Sequence, residues 1–301
     1  MLFRNVVLFR FPTSLDLSSV DELLPQAALK PVGPLELSSQ GFISPFGRED
    51  ATALSHRLGD FLWLSIGGQT RMLPGAVVSD ELERKVAEIE QKDGRRPGGK
   101  ARKRLKDDII HELLPKAFVR NTRTDVMLDL ANGVAMINTS SRKTAENAVS
   151  EIRGLLGSFP ALPLNAEVAP RAVLTGWIAG EPLPEPLAIG DEAELRDPIE
   201  GGAIVRCLHQ ELHSDEIEKH LESGKQVTKL ALVIDDMLSF VLGDDLVLRK
   251  LKFLDGAADS LAQDSGDGAR AEFDARFAVQ SAELRRVFVL LEPAFHFSEN
   301  R

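Results

Sequence analysis

The chain has 301 residues, 43% hydrophobic content, a single cysteine and a formal net charge of -10, which allows one large or two ordinary domains with real cores. One thiol, Cys207, excludes an intrachain disulfide and a cysteine-based structural zinc site and fits a reducing, cytoplasmic interior. No run approaches the roughly 20 apolar residues that span a bilayer, so no membrane partner is expected.

The elements follow in order. Leu2–Phe11 clusters apolar residues as a strand does, although Arg4 and Arg10 interrupt it, and no cleavage site of small residues follows. Pro12 closes that run before a helical stretch opening near Ser14 to Asp16. Ala51–Leu58 is predicted as a short helix, Phe61–Ile66 as a strand and Arg71–Val78 as an extended piece around Pro74 and Gly75. Ser79 is the predicted N-cap of a helix in which Leu82, Val86 and Ile89 recur at helical spacing. Residues 93–99, Asp-Gly-Arg-Arg-Pro-Gly-Gly, cannot continue it, and a second helix follows with Leu105, Ile109 and Leu113 on one stripe. Residues 79–117 thus read as a protruding helical hairpin.

Val119–Leu130 and Val134–Thr139 read as strands joined through Ala131-Asn132-Gly133, because Asn-Gly supplies the positive φ of tight hairpins. Ser141–Leu156 is an amphipathic helix. Pro160, Pro163, Pro170, Pro182, Pro184 and Pro186 mark 158–190 as a connection between an N-terminal α+β region, 1–157, and a C-terminal one, 191–301. In the latter, Ala203–Leu208 is a strand, Ser214–Glu222 a capped helix, and Val227–Ile234, Leu238–Leu242 and Val247–Leu254 a meander. A long helix, Ala271–Leu291, closes the chain with Phe273, Phe277, Leu284, Phe288 and Leu291 along one side. Strand hairpins with helices between them favour an α+β fold with mixed or antiparallel sheets over a doubly wound parallel sheet.

Charge is unevenly spread. Arg84–Lys106 holds ten Lys/Arg against three acids, which leaves 26 basic and 43 acidic residues elsewhere. Such separation creates a directional field that can hold a polyanion at one place while the remaining surface repels it; a solvated hairpin without a ligand is the plainer alternative. Arg95, Arg96, Lys100, Arg102, Lys103, Arg104 and Lys106 are its candidate contacts. Gly94 to Lys100 also imitates a phosphate-binding P-loop, but Ala101 stands where Ser or Thr would hold Mg²⁺, and a charged helix precedes it in place of a buried strand. Fifteen Phe, two Trp and no Tyr suit buried packing better than a single-strand stacking platform.

Other constellations are weaker. His209 and His213, with Glu211 between them and His220 beyond, lack a metal-binding helix motif and read as surface histidines. Asp235-Asp236 and Asp244-Asp245 could serve two-metal chemistry, yet both fall where strands turn, an ordinary position for Asp. No serine lies in a nucleophile elbow. A second basic set, Arg206, Lys225, Lys229, Arg249, Lys250 and Lys252, accompanies the C-terminal strands. On a regular strand Lys225 and Lys229 point to one side, as do Lys250 and Lys252, so that face could follow a phosphate backbone or simply be solvated.

Taken together, MLFRNVVLFRF at the start, Gly41–Gly47 (GFISPFG), His111–Arg120 (HELLPKAFVR), Leu155–Leu164 (LLGSFPALPL), Glu222–Leu232 (ESGKQVTKLAL) and Leu248–Phe253 (LRKLKF) resemble the RdgC family of bacterial recombination-associated proteins. The similarity runs through nearly the whole chain in one order and contains no catalytic signature. It implies a nucleoid-associated, non-enzymatic, cofactor-free homodimer that binds double-stranded DNA without strong sequence preference and restrains RecA-type recombination. The family's two horseshoe-shaped subunits close a ring around a positively lined hole. In this chain Phe118 would correspond to an apolar contact closing one subunit interface, and Gln210 and Lys225 match positions implicated in DNA contact. Leu208 and His209 stand where relatives carry lysines, so His209 would add charge there only when protonated. A metal-dependent nuclease and an interaction module for an acidic protein are the alternatives.

Overall fold

Twelve strands and eight α-helices form among the residues that the computed structural model describes, 2–47, 50–199, 202–264 and 269–298. In chain order they are β1 (Val7–Arg10), α1 (Val20–Leu23), β2 (Ser38–Ile43), β3 (Ser55–Leu58), β4 (Phe61–Met72), α2 (Gly75–Asp93), α3 (Gly99–Leu113), β5 (Phe118–Asp129), β6 (Val134–Ile137), α4 (Arg142–Leu156), β7 (Leu162–Pro163), α5 (Pro170–Ile178), β8 (Leu187–Arg196), β9 (Ile204–Leu208), α6 (Asp215–Glu222), β10 (Gln226–Ile234), β11 (Leu238–Gly243), β12 (Leu248–Phe253), α7 (Asp255–Asp264) and α8 (Ala269–Phe295). The architecture is α+β with antiparallel sheets. Two compact units divide the chain: the larger takes residues up to Leu24, Ser44–Ser65 and those from Thr124 onward, the smaller Pro25–Ile43 and Ile66–Arg123.

In the larger unit a five-stranded antiparallel sheet runs in the order β12-β11-β10-β8-β9. A second set of strands is built around β1, which pairs with β6 on one side and β7 on the other. Phe3, Trp63, Met136, Trp177, Leu230, Leu242, Phe277 and Phe288 belong to one continuous buried core. Helix α8 contributes its aromatic side to it: Trp63 stacks on Phe273 and Phe277 at 4.9 and 5.1 Å between ring centroids. Residues 158–190 hold β7 and α5, whose Val173, Leu174, Trp177 and Ile178 are buried.

The Asn132-Gly133 turn forms as expected, with Gly133 at φ 64°. Asp129 organises it by accepting from the Ala131 and Asn132 backbone amides, while Arg285 donates to both of its oxygens at 2.7 and 2.6 Å.

Three local expectations are corrected. Ser55–Leu58, read as helix, is strand β3, registered from Ser55↔Leu64 to Leu58↔Phe61. The two-residue Gly59-Asp60 turn, with Gly59 at φ 54°, folds that segment onto the strong apolar run after it, and so short a helix had little to nucleate it. The extended piece Arg71–Val78 ends early, because α2 begins at Gly75 with Pro74 as N-cap, and Ser79 lies inside the helix. The helical stretch near Ser14 is limited to α1 and a 3₁₀ turn, Leu24–Ala27.

In the smaller unit Val78, Val86, Ile109 and Leu114 are buried. Helix α2 stops at Gly94, whose φ of 73° lets its amide reach the Glu90 carbonyl at 2.9 Å, the left-handed termination glycine permits without steric cost. Residues 94–98 then lead into α3, and Lys85 of α2 donates to Glu112 of α3 at 2.8 Å. Arg71 anchors the turn between α3 and β5, its guanidinium donating to the carbonyls of Gly33, Leu114, Pro115 and Ala117.

Candidate nucleic-acid interface

The basic residues of α2 and α3 divide into two sets. Arg84 is held by Glu81 and Glu88, Lys85 by Glu112, and Arg96 and Arg102 both by Glu83. Lys92, Arg95, Lys100, Lys103, Arg104 and Lys106 are exposed and take part in no ion pair among the described residues. Lys100 and Arg104 are four residues apart on α3 and so share a face; with Arg95, Arg96 and Asp108 they line an open cleft of about 640 Å³. The Gly94–Lys100 stretch connects two helices, without the preceding strand a P-loop requires.

The second predicted set lies in the larger unit. His209, at φ 55°, sets its Nδ1 3.1 Å from Asp191 Oδ2, and the Gln210 amide donates to the Asp191 carbonyl. Asp191 therefore holds the two residues directly after β9. Lys225 precedes β10 and its Nζ donates to Ser223 Oγ at 3.0 Å. Lys229 lies within β10, 3.1 Å from Glu194 Oε2.

Lys225 and Lys229 do not follow the alternation of a regular strand, because the register shifts between Val227 and Lys229. A bulge inserts a residue and inverts the alternation beyond it. Lys250, at φ 54°, lies within a similar irregularity between Arg249 and Lys252, and pairs with Glu192.

Sequence reasoning missed Glu194, the hub of this face. Buried in β8, it receives Arg196 at 2.8 Å, Arg206 at 3.0 Å and Lys229 at 3.1 Å. Burial pushes its carboxyl up, but the hydrogen bonds from Lys229, Arg196 and Arg206 together outweigh that and bring it down to about 2. The Glu-x-Arg spacing of Glu194 and Arg196 puts both on one strand face. Arg206 and Lys229 join them only through cross-strand register, which a single sequence does not display.

The acidic pairs sit in turns. Asp235 pairs with Arg286, Asp244 with Arg171 and Asp245 with Arg249. No group of three or more His, Cys, Asp or Glu that could hold a metal ion occurs among the described residues. No helix among them is long and apolar enough to cross a membrane. Phe118, the first residue of β5, is 86% exposed, and the next five residues of the strand are exposed as well.

An acidic α+β protein with a cluster of unpaired cations on two successive helices and the turn between them is the class these observations define. A family model described as "Putative exonuclease, RdgC" matches residues 1–297. Proteins named "Recombination-associated protein RdgC" from Xanthomonas campestris pv. campestris (strain B100) and Xanthomonas axonopodis pv. citri (strain 306) are 73% and 72% identical over 299 residues, and that of Stenotrophomonas maltophilia (strain R551-3) is 65% identical over 299; each alignment covers 99% of both chains. The chain belongs to the RdgC family.

Proposed function

We propose that the protein is a non-enzymatic, nucleoid-associated sleeve for duplex DNA. Two horseshoe-shaped subunits, each with a protruding helical hairpin, close into a ring, and enclosure of the duplex hinders a RecA-type recombinase. The observation that carries this reading is the group of six unpaired cations, Lys92, Arg95, Lys100, Lys103, Arg104 and Lys106, in a chain of net charge -10. Duplex DNA presents two phosphates per base pair, and Lys and Arg that read no base edges gain affinity by releasing counterions. Only the lining needs to be basic, and acidic outer walls discourage binding elsewhere. Gln210, Lys225 and Lys229 are further DNA contacts, and Phe118 belongs to a subunit interface.

The test is fluorescence anisotropy with a random-sequence duplex across a salt series. We expect log K to fall by roughly 0.9 for each phosphate neutralised per log unit of salt, with no marked preference for one sequence. A salt-independent affinity would overturn the reading. Retention on closed circular but not linear DNA after a salt wash supports the ring. The family description favours a second reading, a nuclease; incubating the protein with plasmid and Mg²⁺ or Mn²⁺ separates the two, because a sleeve leaves the plasmid intact.

A further inference from the structure

On the five-stranded sheet, Glu194 of β8 stands opposite Arg206 of β9 on one side and Lys229 of β10 on the other. Arg196, two residues further along β8, folds back onto the same carboxylate through Nε and Nη2. One carboxylate thus faces three cations, a formal local excess of two positive charges. Around them Lys250 is matched by Glu192 and Arg249 by Asp245, so the excess is not cancelled by those neighbours. The anchor is buried while the cations reach solvent: the Glu194 side chain is 6% exposed, against 35% for Lys229, 43% for Arg196 and 66% for Arg206.

A buried carboxylate needs an opposite charge, but not three of them. The surplus leaves donors without a partner on the protein: Arg206 spends only Nε on Glu194, Arg196 keeps Nη1 and Lys229 keeps part of its ammonium. Their rotamers are already restricted by the shared anchor, so an incoming anion has less side-chain entropy to overcome. Guanidinium forks match phosphate oxygens in geometry as well as charge.

We propose that Arg196, Arg206 and Lys229, gathered by Glu194, form a phosphate-binding site that holds the backbone of duplex DNA. The proposal rests on the DNA-binding reading above and adds Arg196 and Arg206 as contacts, with Glu194 as a positioning residue. The experiment compares the wild type, the double variant R196Q/R206Q and a charge-matched control, K143Q/R276Q, in the same anisotropy series, with thermal unfolding of each. The double variant is expected to lose about tenfold in affinity and to flatten the salt dependence by roughly one phosphate, about 0.9 in slope, while the control retains wild-type values. Arg206→Gln alone, at the most exposed of the three cations, repeats the test with a smaller step should the double variant be unstable. If the double variant only melts earlier, with affinity and slope unchanged, the cluster merely ties β8, β9 and β10 together and the proposal is overturned. An equal loss in the control assigns the effect to overall charge and also overturns it. If the wild type binds no duplex, the DNA-binding reading falls and this one with it; wild-type binding that R196Q/R206Q leaves unchanged removes this one alone.

Discussion

Asp129 is fully buried, and its carboxylate oxygens accept hydrogen bonds from Arg285 and from the turn amides beside it. Arg285→Ala leaves a carboxylate in the core without a counterion, so we expect a loss of about 3 kcal/mol in chemical denaturation. Glu194 offers a pH signature. Its folded value, about 2, lies below the ordinary 4.5, so its contribution is present above about pH 4.5 and is lost as pH falls toward 2. Unfolding followed across that window should show a steeper acid limb in the wild type than in Glu194→Gln. That both residues matter was not legible from composition: Asp129 and Arg285 are 156 positions apart, and only folding brings them together.

Most elements were legible because their signals are local. The Asn-Gly turn, the Gly94 helix stop and the aromatic side of α8 each arise from backbone freedom or from spacing within a few residues. Gly133 shows how strict one such position is: at φ 64° an added Cβ would come 2.2 Å from the Phe11 carbonyl oxygen. Gly133→Ala should therefore destabilise by at least about 1–3 kcal/mol, seen as a lower denaturation midpoint. Ser55–Leu58 is strand and not helix because a short segment has weak intrinsic preference, and pairing with β4 overrides it. The bulges at Val227 and Lys250 have no comparable signature, and they change which way the side chains beyond them point.

At the scale of the molecule, charge and exposed apolar surface lead to different experiments. The salt series tests the charge. Phe118 tests the assembly: it is 86% exposed on the single chain, so Phe118→Ser should change unfolding of the monomer, measured at concentrations too low for dimerisation, by no more than about 0.5 kcal/mol. In sedimentation the same variant should shift mass from dimer toward monomer and weaken DNA binding. Unchanged mass and unchanged binding would remove Phe118 from the interface.

The sequence by itself determined the family, the α+β class, the order of most elements and the concentration of positive charge between Arg84 and Lys106, because motifs, periodicity and charge runs are properties of neighbours along the chain. Only the tertiary structure decided which of those cations are spent. Arg96 and Arg102 meet Glu83 across the turn, while Lys92, Arg95, Lys100, Lys103, Arg104 and Lys106 stay open to solvent; outside that run, Lys229 meets Glu194 across a strand pair. Ion pairing depends on distances of about 3 to 4 Å between side chains remote in sequence, and strand register and helix packing set those distances.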